Sequence, residues 1–191
     1  MAEDIQCAVV IDVGAGYCKA DLSFEDNPKC IFPTVIGKPK MNGSNIDSES
    51  NTNFDAGQKC FGKKDYYVGY DALSKQGLLD ISRPIQKGHV KDWDDLEKIY
   101  HHCFINELKI DSTERPVLTT IYPHEQKSMK EKSTQVFFET FSVPGYYCYS
   151  SSLLALYGSG KTTGVVIDSG EDVTSVLPIN EGSSVTYAQS I

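Results

Sequence analysis

Apolar positions alternate in short runs near both ends of the chain, whereas helical spacing governs the middle. β-branched runs predict strands over Gln6–Asp12, Tyr17–Phe24 and Cys30–Ile36, arranged as a meander. Pro33 limits the pairing of the third strand to an edge or a bulge, because proline donates no backbone hydrogen bond. The chain therefore begins with a small antiparallel unit.

The clearest helical pattern covers Asp92–Leu108, with Asp92 as a natural N-cap. Its apolar face consists of Trp93, Leu96, Tyr100, Cys103, Phe104 and Leu108. A capping box at Ser128–Glu131 predicts a second helix to about Phe141, and a short helix follows over Ser150–Tyr157. Helical spacing thus occupies the centre of the chain.

Five further strands complete the pattern: Arg115–Tyr122, Tyr146–Tyr149, Gly164–Asp168, Val173–Ile179 and Ser184–Gln189. Strands that alternate with helices predict an α/β fold, here a mixed sheet with flanking helices. A polar stretch, Met41–Asn53, is nearly free of apolar residues and is expected to be a solvated loop.

Composition, charge and cysteine spacing narrow the range of possible functions. The 191 residues carry 40% hydrophobic residues, no apolar run long enough to span a bilayer and no secretory signal. Six cysteines without Cys-x-x-Cys spacing suit free thiols in a reducing cytosol. A net charge of −8 argues against nucleic acid as a partner. We expect a cytoplasmic protein that binds neither membrane nor nucleic acid.

The candidate chemistry lies in two hairpins that each follow a strand ending in Asp. In the first, Asp12 is followed by Gly14 and Gly16, whose expected positive φ would leave backbone N–H groups open to an anion. Lys19 could reach a phosphate, and Asp12 could hold Mg²⁺ through water. An ordinary hairpin with a solvated Asp and Lys is the alternative, because short glycine motifs recur by chance.

The second hairpin repeats the plan with Asp168, Ser169 and Gly170. Two such hairpins, far apart in sequence, can face each other across a cleft and bind the phosphates of a nucleotide from both sides. The pair is far more specific than either copy alone.

The two hairpins belong to a longer series of motifs, and through these the chain resembles actin along nearly its whole length. The matching pieces include Asp12-Val-Gly-Ala-Gly16, Tyr67-Val-Gly69, Trp93-Asp-Asp95, Asn106-Glu-Leu108, Thr162-Thr-Gly164 and Asp168-Ser-Gly170. The resemblance implies the ribonuclease-H-like half-fold that actin shares with heat-shock chaperones and sugar kinases, and ATP or ADP with Mg²⁺ as the cofactor.

Carried over position by position, the resemblance assigns the cleft residues. The phosphate-binding residues would be Gly14, Ala15, Gly16, Lys19, Ser169 and Gly170, and Asp12 and Asp168 would hold Mg²⁺ through water. It also implies a first domain from residues 1–36 and 70–158, an inserted subdomain at 37–69 that contains the polar loop, and a fragment of a second domain at 159–191.

The chain stops before the rest of an actin second domain, including the adenosine pocket. Apolar residues of its last strands are therefore expected to be partly bare, namely Val173, Val176, Leu177, Ile179 and Val185.

Four departures from actin weaken the implied activity. Ser151 and Ser175 stand where actin has the Gln and His that position water, and Ala15 replaces a Ser. Glu171-Asp172 replaces Asp-Gly and adds negative charge beside the phosphates. No catalytic residues are therefore assigned, and we expect no ATP turnover above background and weak or lost nucleotide binding.

Several functions remain open. The resemblance implies an actin-like cytoskeletal protein of the cytoplasm with a residual or lost ATP cleft, impaired in hydrolysis and filament assembly. The alternatives are a small ATPase, a non-polymerising module that binds actin or actin-binding proteins, and a degenerate truncated duplicate without activity.

Overall fold

A computed structural model of the chain describes residues 7–40, 64–123 and 127–190. Its strands, in chain order, are β1 Val9–Val13, β2 Tyr17–Leu22, β3 Cys30–Pro33, β4 Ile36–Pro39, β5 Tyr67–Val68, β6 Leu79–Ser82, β7 Ile85–Gln86, β8 His89–Val90, β9 Val117–Ile121, β10 Tyr146–Ser150, β11 Gly164–Ser169, β12 Thr174–Asn180 and β13 Ser183–Ser184. The α-helices are α1 Gly69–Ser74, α2 Trp93–His102, α3 Lys127–Gln135 and α4 Ser151–Gly158.

The largest sheet has five strands in the order β10-β9-β1-β2-β3. β1, β9 and β10 run parallel, whereas β2 and β3 are antiparallel to their neighbours. The predicted α/β fold with a mixed sheet is thereby confirmed. The carboxyl ends of the three parallel strands lie at one edge, where open α/β sheets commonly bind ligands.

The third strand is shorter than predicted. It ends at Pro33, and Ile36–Pro39 forms a separate strand in a small sheet ordered β5-β4-β6. The break is a tight turn in which the Val35 N–H donates to the Pro33 carbonyl at 2.9 Å. The small sheet also contains β6. The polar loop Met41–Asn53 lies outside the described residues.

Two helical segments cover the five-stranded sheet. The predicted helix Asp92–Leu108 is an α-helix up to His102 and a π-helical turn over Cys103–Leu108, and the Asp92 carboxylate caps it by accepting from the Asp95 N–H at 3.0 Å. The helix predicted from Ser128 already includes Lys127, so Ser128 lies inside it, and a π-helical turn over Val136–Thr140 follows. The core is dominated by Val9, Ile11, Leu96, Ile99, Phe104 and Phe137, all at most 1% exposed.

The second sheet has the order β11-β12-β13, and α4 covers one of its faces. Leu177 and Ile179 pack against Leu153 and Leu156 and are only 1% and 2% exposed. The expectation that these two would be bare was therefore wrong, because α4 lies over them. Val173, Val176 and Val185 are half-buried, as expected.

The last predicted strand is mostly absent. Ser183–Ser184 pairs with β12, a 3₁₀ turn follows over Thr186–Ala188, and Ser190 then forms an isolated bridge with Val176 of β12. The Val185 N–H donates to the Pro178 carbonyl at 2.9 Å, but Pro178 has no N–H to return the bond, so the continuous ladder is interrupted there. The predicted turn at Glu181-Gly182 is confirmed, with φ of 49° and 77°.

The remaining expectations concern the state of the cysteines and membrane-spanning helices. Cys18, Cys30, Cys103 and Cys148 are free thiols in the part of the chain that the structure describes. Among the helices described, none combines the length and apolar character needed to cross a membrane.

Candidate functional site

The two Asp-ended hairpins meet at one cavity of about 540 Å³. It opens at the carboxyl ends of the parallel strands and is bounded below by α2. The residues predicted for the site that line it are Asp12, Gly14, Ala15, Gly16, Lys19, Ser151, Asp168, Ser169 and Gly170. Ser175 does not belong to this lining, and it is only 1% exposed.

The first hairpin joins β1 to β2 and places one acid beside one base. Asp12 and Lys19 are partners across the ladder, and the Lys19 Nζ lies 3.5 Å from the Asp12 Oδ2. The other carboxylate oxygen accepts from the Thr120 hydroxyl at 2.5 Å. Thr120, near the end of β9, was missed in the sequence because a single threonine in a strand carries no distinguishing signal.

Positive φ was expected for both glycines of the first hairpin, and this expectation was wrong for both of them. Gly16 is instead needed because the second hairpin approaches it closely. The Gly14 N–H donates to the Tyr17 carbonyl at 3.0 Å, so the turn itself uses one of the N–H groups expected to be open. A Cβ on Gly16 would lie 3.2 Å from the Glu171 Cβ. Gly16 is therefore the point at which the two hairpins nearly touch.

The second hairpin joins β11 to β12 and closes through the Gly170 N–H, which donates to the Val173 carbonyl at 2.9 Å. Asp168 pairs with Ser175 in the ladder, and the Ser169 and Thr174 hydroxyls lie 3.0 Å apart. Tyr122 also lines the cavity, and its pKa is raised by burial and by the Asp168 carboxylate, although the Ser175 hydroxyl opposes the shift. Ser175 thus lies next to a phenol that lines the cleft without lining the cleft itself.

A third element, the β7–β8 hairpin and the residues before it, holds the other two together. The Arg83 Nη1 donates to the Ala15 carbonyl at 3.2 Å and to the Glu171 Oε1 at 3.4 Å. The Lys87 N–H donates to the Asp172 Oδ2 at 3.2 Å. None of these three contacts was anticipated from the sequence, because their partners are 68 to 88 residues apart in the chain.

The inner end of the cavity is apolar, and hydroxyl groups line one side. Trp93, Leu96 and Tyr100 of α2 form the floor. Ser133 reaches the wall and shares a hydrogen bond of 2.6 Å with the Tyr146 hydroxyl, which lies 2.7 Å from that of Thr119. Burial raises the pKa of Tyr146 to about 12, so its phenol keeps its proton at neutral pH.

The cleft carries more negative than positive charge. Asp12, Asp168, Glu171 and Asp172 contribute four carboxylates, against two cations from Lys19 and Arg83, which leaves a net charge of −2. No three Asp, Glu, His or Cys side chains among the described residues converge on a metal position. A divalent ion here would need water and phosphate oxygens to complete its ligands, as Mg²⁺ commonly does.

A buried ion pair anchors the floor of the cleft to the small sheet. Asp95 of α2 is 1% exposed in its side chain and accepts from Lys98 at 2.8 Å, from Lys38 at 2.9 Å and from Ser82 at 3.0 Å. Burial alone would raise the pKa of Asp95, but these hydrogen bonds outweigh it and hold the pKa below its usual value of 3.8. Asp95 therefore stays ionised and links α2 to β4 and β6.

Comparison of the sequence with protein-family models identifies the family of this chain. The model of the actin family matches residues 3–190 of the chain. The matched region contains every residue that lines the cavity, together with α2 and all strands of the five-stranded sheet. A match over this length establishes family membership.

Proposed function

Because the chain belongs to the actin family, we propose that its cleft binds ATP or ADP together with Mg²⁺. The observation that carries this proposal is the meeting of Asp12, Lys19 and Asp168 at one cavity, although the two hairpins stand more than a hundred residues apart. Two carboxylates and a lysine at the carboxyl ends of strands suit a magnesium–polyphosphate ligand.

The charge balance makes Mg²⁺ a requirement of the proposed binding. Bare ATP brings about four negative charges into a cleft that is already negative, and like charges in a partly desolvated site repel strongly. Asp12 and Asp168 would hold the ion through water, while Lys19 and the amides of Gly16 and Ser169 contact phosphate oxygens. Gly170 would shape the turn, because its own amide already donates to the Val173 carbonyl. Binding is expected to be weak, because Glu171 and Asp172 remain nearby.

We further propose that the cleft does not hydrolyse ATP above background. Phosphoryl transfer depends on positioning the attacking water and on stabilising charge. Ser151 lines the cavity with only a short hydroxyl side chain, and Ser175 does not reach the cavity at all. Neither serine can span the distance that a glutamine or histidine covers in an actin cleft.

Binding can be measured by thermal shift and by calorimetric titration of the 191-residue chain with MgATP, and with ATP in excess EDTA. We expect stabilisation at millimolar MgATP, none with EDTA and none in Asp168→Asn. Asp80→Asn is the matched control, because Asp80 carries the same charge on an exposed site of β6. Absence of any shift with MgATP would contradict nucleotide binding.

Hydrolysis is tested separately by phosphate release under magnesium. The expected rate equals that of buffer with nucleotide alone. A magnesium-dependent release that Asp168→Ala abolishes would overturn this part of the proposal and restore the ATPase alternative.

The strand order of the five-stranded sheet supports the ribonuclease-H-like half-fold for the first domain, with residues 1–36 and 70–158 as its main body. We propose residues 37–69 as the inserted subdomain and 159–191 as the part of a second domain that carries the second hairpin. Separate unfolding of the two sheets, followed by residue-resolved hydrogen exchange, would test this division.

Family membership also supports a cytoskeletal role in the cytoplasm, with actin or actin-binding proteins as partners. We propose that the chain contacts them without forming filaments efficiently by itself. The expected result is that it stays in the supernatant after addition of salt and Mg²⁺, but pellets with preformed actin filaments. Sedimentation of the chain alone would contradict this proposal.

A further inference from the structure

Arg83 lies between the two Asp-ended hairpins and donates a hydrogen bond to each of them. Its Nη1 donates to the Ala15 carbonyl at 3.2 Å and to the Glu171 Oε1 at 3.4 Å, so one guanidinium joins the first turn to the second. Its side chain is 41% exposed, which leaves other donors of the guanidinium accessible to a ligand. An arginine at this position is placed to bind an anion held between the hairpins.

The Glu171 carboxylate occupies the space that such an anion would take. Its Oε2 lies 3.4 Å from the position of a Cβ on Gly16, so the acid rests on the first turn while its other oxygen accepts from Arg83. From this geometry we infer that Arg83 is a phosphate-binding residue of the cleft and that Glu171 is its internal competitor. This inference rests on the proposed nucleotide binding.

The competition favours the nucleotide once Mg²⁺ is present. The Arg83–Glu171 contact is long at 3.4 Å, and its side chains are 41% and 51% exposed, so water screens most of their attraction. A polyphosphate offers several charged oxygens to the fork of the guanidinium, and such bidentate, charge-assisted bonds are stronger. Mg²⁺ offsets the repulsion from the remaining carboxylates.

Asp172 supplies a matched control for the charge of Glu171. It is the next residue of the same hairpin and carries the same charge, but it accepts from the Lys87 N–H at 3.2 Å. Glu171→Gln and Asp172→Asn therefore each remove one negative charge from the cleft, whereas only Glu171→Gln releases Arg83 from an ionic partner. The glutamine and asparagine keep the size of the original side chains.

The experiment is a calorimetric titration of the full chain and its variants with MgATP. Glu171→Gln should bind about tenfold more tightly than wild type, and Asp172→Asn should gain clearly less. Arg83→Met should bind about tenfold more weakly, with Arg83→Lys between the two. In the Arg83→Met background, Glu171→Gln and Asp172→Asn should have equal effects.

Other outcomes overturn the inference. Equal gains from Glu171→Gln and Asp172→Asn in wild type would mean that Glu171 acts through its charge alone, and unchanged affinity in Arg83→Met would remove Arg83 from the site. In both cases MgATP still binds, so the proposed function survives. Absence of MgATP binding in every variant, with circular dichroism showing folded protein, would overturn the proposed function and this inference together.

Discussion

The two hairpins share a sequence plan but have different surroundings. Ile11 and Ile167 each immediately precede the hairpin aspartate, yet Ile11 is fully buried and Ile167 is 69% exposed. β1 lies inside a five-stranded sheet covered by helices, whereas β11 is at the edge of a three-stranded sheet covered on one face by α4.

This difference shows that a local motif determines the shape of a hairpin and the protein around it determines how firmly it is held. The first hairpin is fixed by its own core. Within the described residues, the second packs into a small core through Leu177, Ile179 and Val166, and Arg83 joins it to the first hairpin through exposed polar bonds. Affinity for a ligand between the two is therefore expected to depend most on the second.

The strongest test replaces the two corresponding isoleucines. Ile11→Ala should lower the free energy of unfolding by about 3–4 kcal/mol, because it removes buried methyl groups and leaves a cavity. Ile167→Ala should change it by less than about 0.5 kcal/mol, because most of that side chain is in water. Chemical denaturation followed by circular dichroism measures both. Equal losses would show that the face of β11 carrying Ile167 is covered.

A second test asks whether the small core below the second hairpin stabilises the whole protein. Leu177→Ala should cost about 2–3 kcal/mol, since Leu177 is 1% exposed against α4. Hydrogen exchange should show the loss first in β11 and β12, with β1 and β9 still protected. Uniform loss of protection in both sheets would instead indicate one cooperative unit.

A third test compares a buried ion pair with an exposed one. Asp95→Asn should cost about 2 kcal/mol at neutral pH, because two lysines and Ser82 lose a buried carboxylate, whereas Arg83→Met should cost less than about 0.5 kcal/mol. The pKa of Asp95 is depressed in the folded protein, so its contribution is present above the unfolded value and is lost as pH falls through the folded value.

The stability difference between wild type and Asp95→Asn should therefore be full above about pH 5 and shrink below about pH 4. Denaturation curves between these values measure it. A difference that stays constant down to strongly acidic pH would rule out the carboxylate as its source.

The smallest expected effect concerns the glycines of the two turns. Gly16→Ala should cost about 1 kcal/mol, because its Cβ would lie 3.2 Å from the Glu171 Cβ and must push the hairpins apart. Gly170→Ala should cost less, since its nearest neighbour, the Val173 carbonyl, would be at an ordinary 3.5 Å. A larger loss at Gly170 would mean that the second turn is the more constrained one.

Much of the fold was predictable because it depends on local pattern. The strands around Asp12 and Asp168, the helix that Asp92 caps and the turn at Glu181-Gly182 all follow from β-branched runs, helical spacing and turn residues. The strand ends were less predictable. Pro33 ends its strand early, and Pro178 interrupts the pairing of β12 with the last segment while its pairing with β11 continues. Whether a proline disturbs a ladder depends on which side of the strand its missing N–H would face.

The candidate site was predictable as a set of residues, although their contacts were not. The sequence alone identified Asp12 and Asp168 through their position at the end of β-branched strands, and Lys19 through its position just after the first glycine turn. Thr120, Arg83 and the Lys87 amide contribute bonds that no short motif encodes, because each partner is at least 68 residues away in the chain.

The sequence by itself determined the main strands and helices around the cleft, the two hairpin motifs and the family, because these depend on the kinds of residues and their spacing. Only the tertiary structure shows which hairpin is buried, why residue 16 must be glycine and that Arg83 is the basic side chain in contact with Glu171. Those outcomes depend on distances between segments far apart in the chain. Burial, electrostatic screening and close approach depend on how such segments are arranged in three dimensions, and that arrangement forms only when the chain folds.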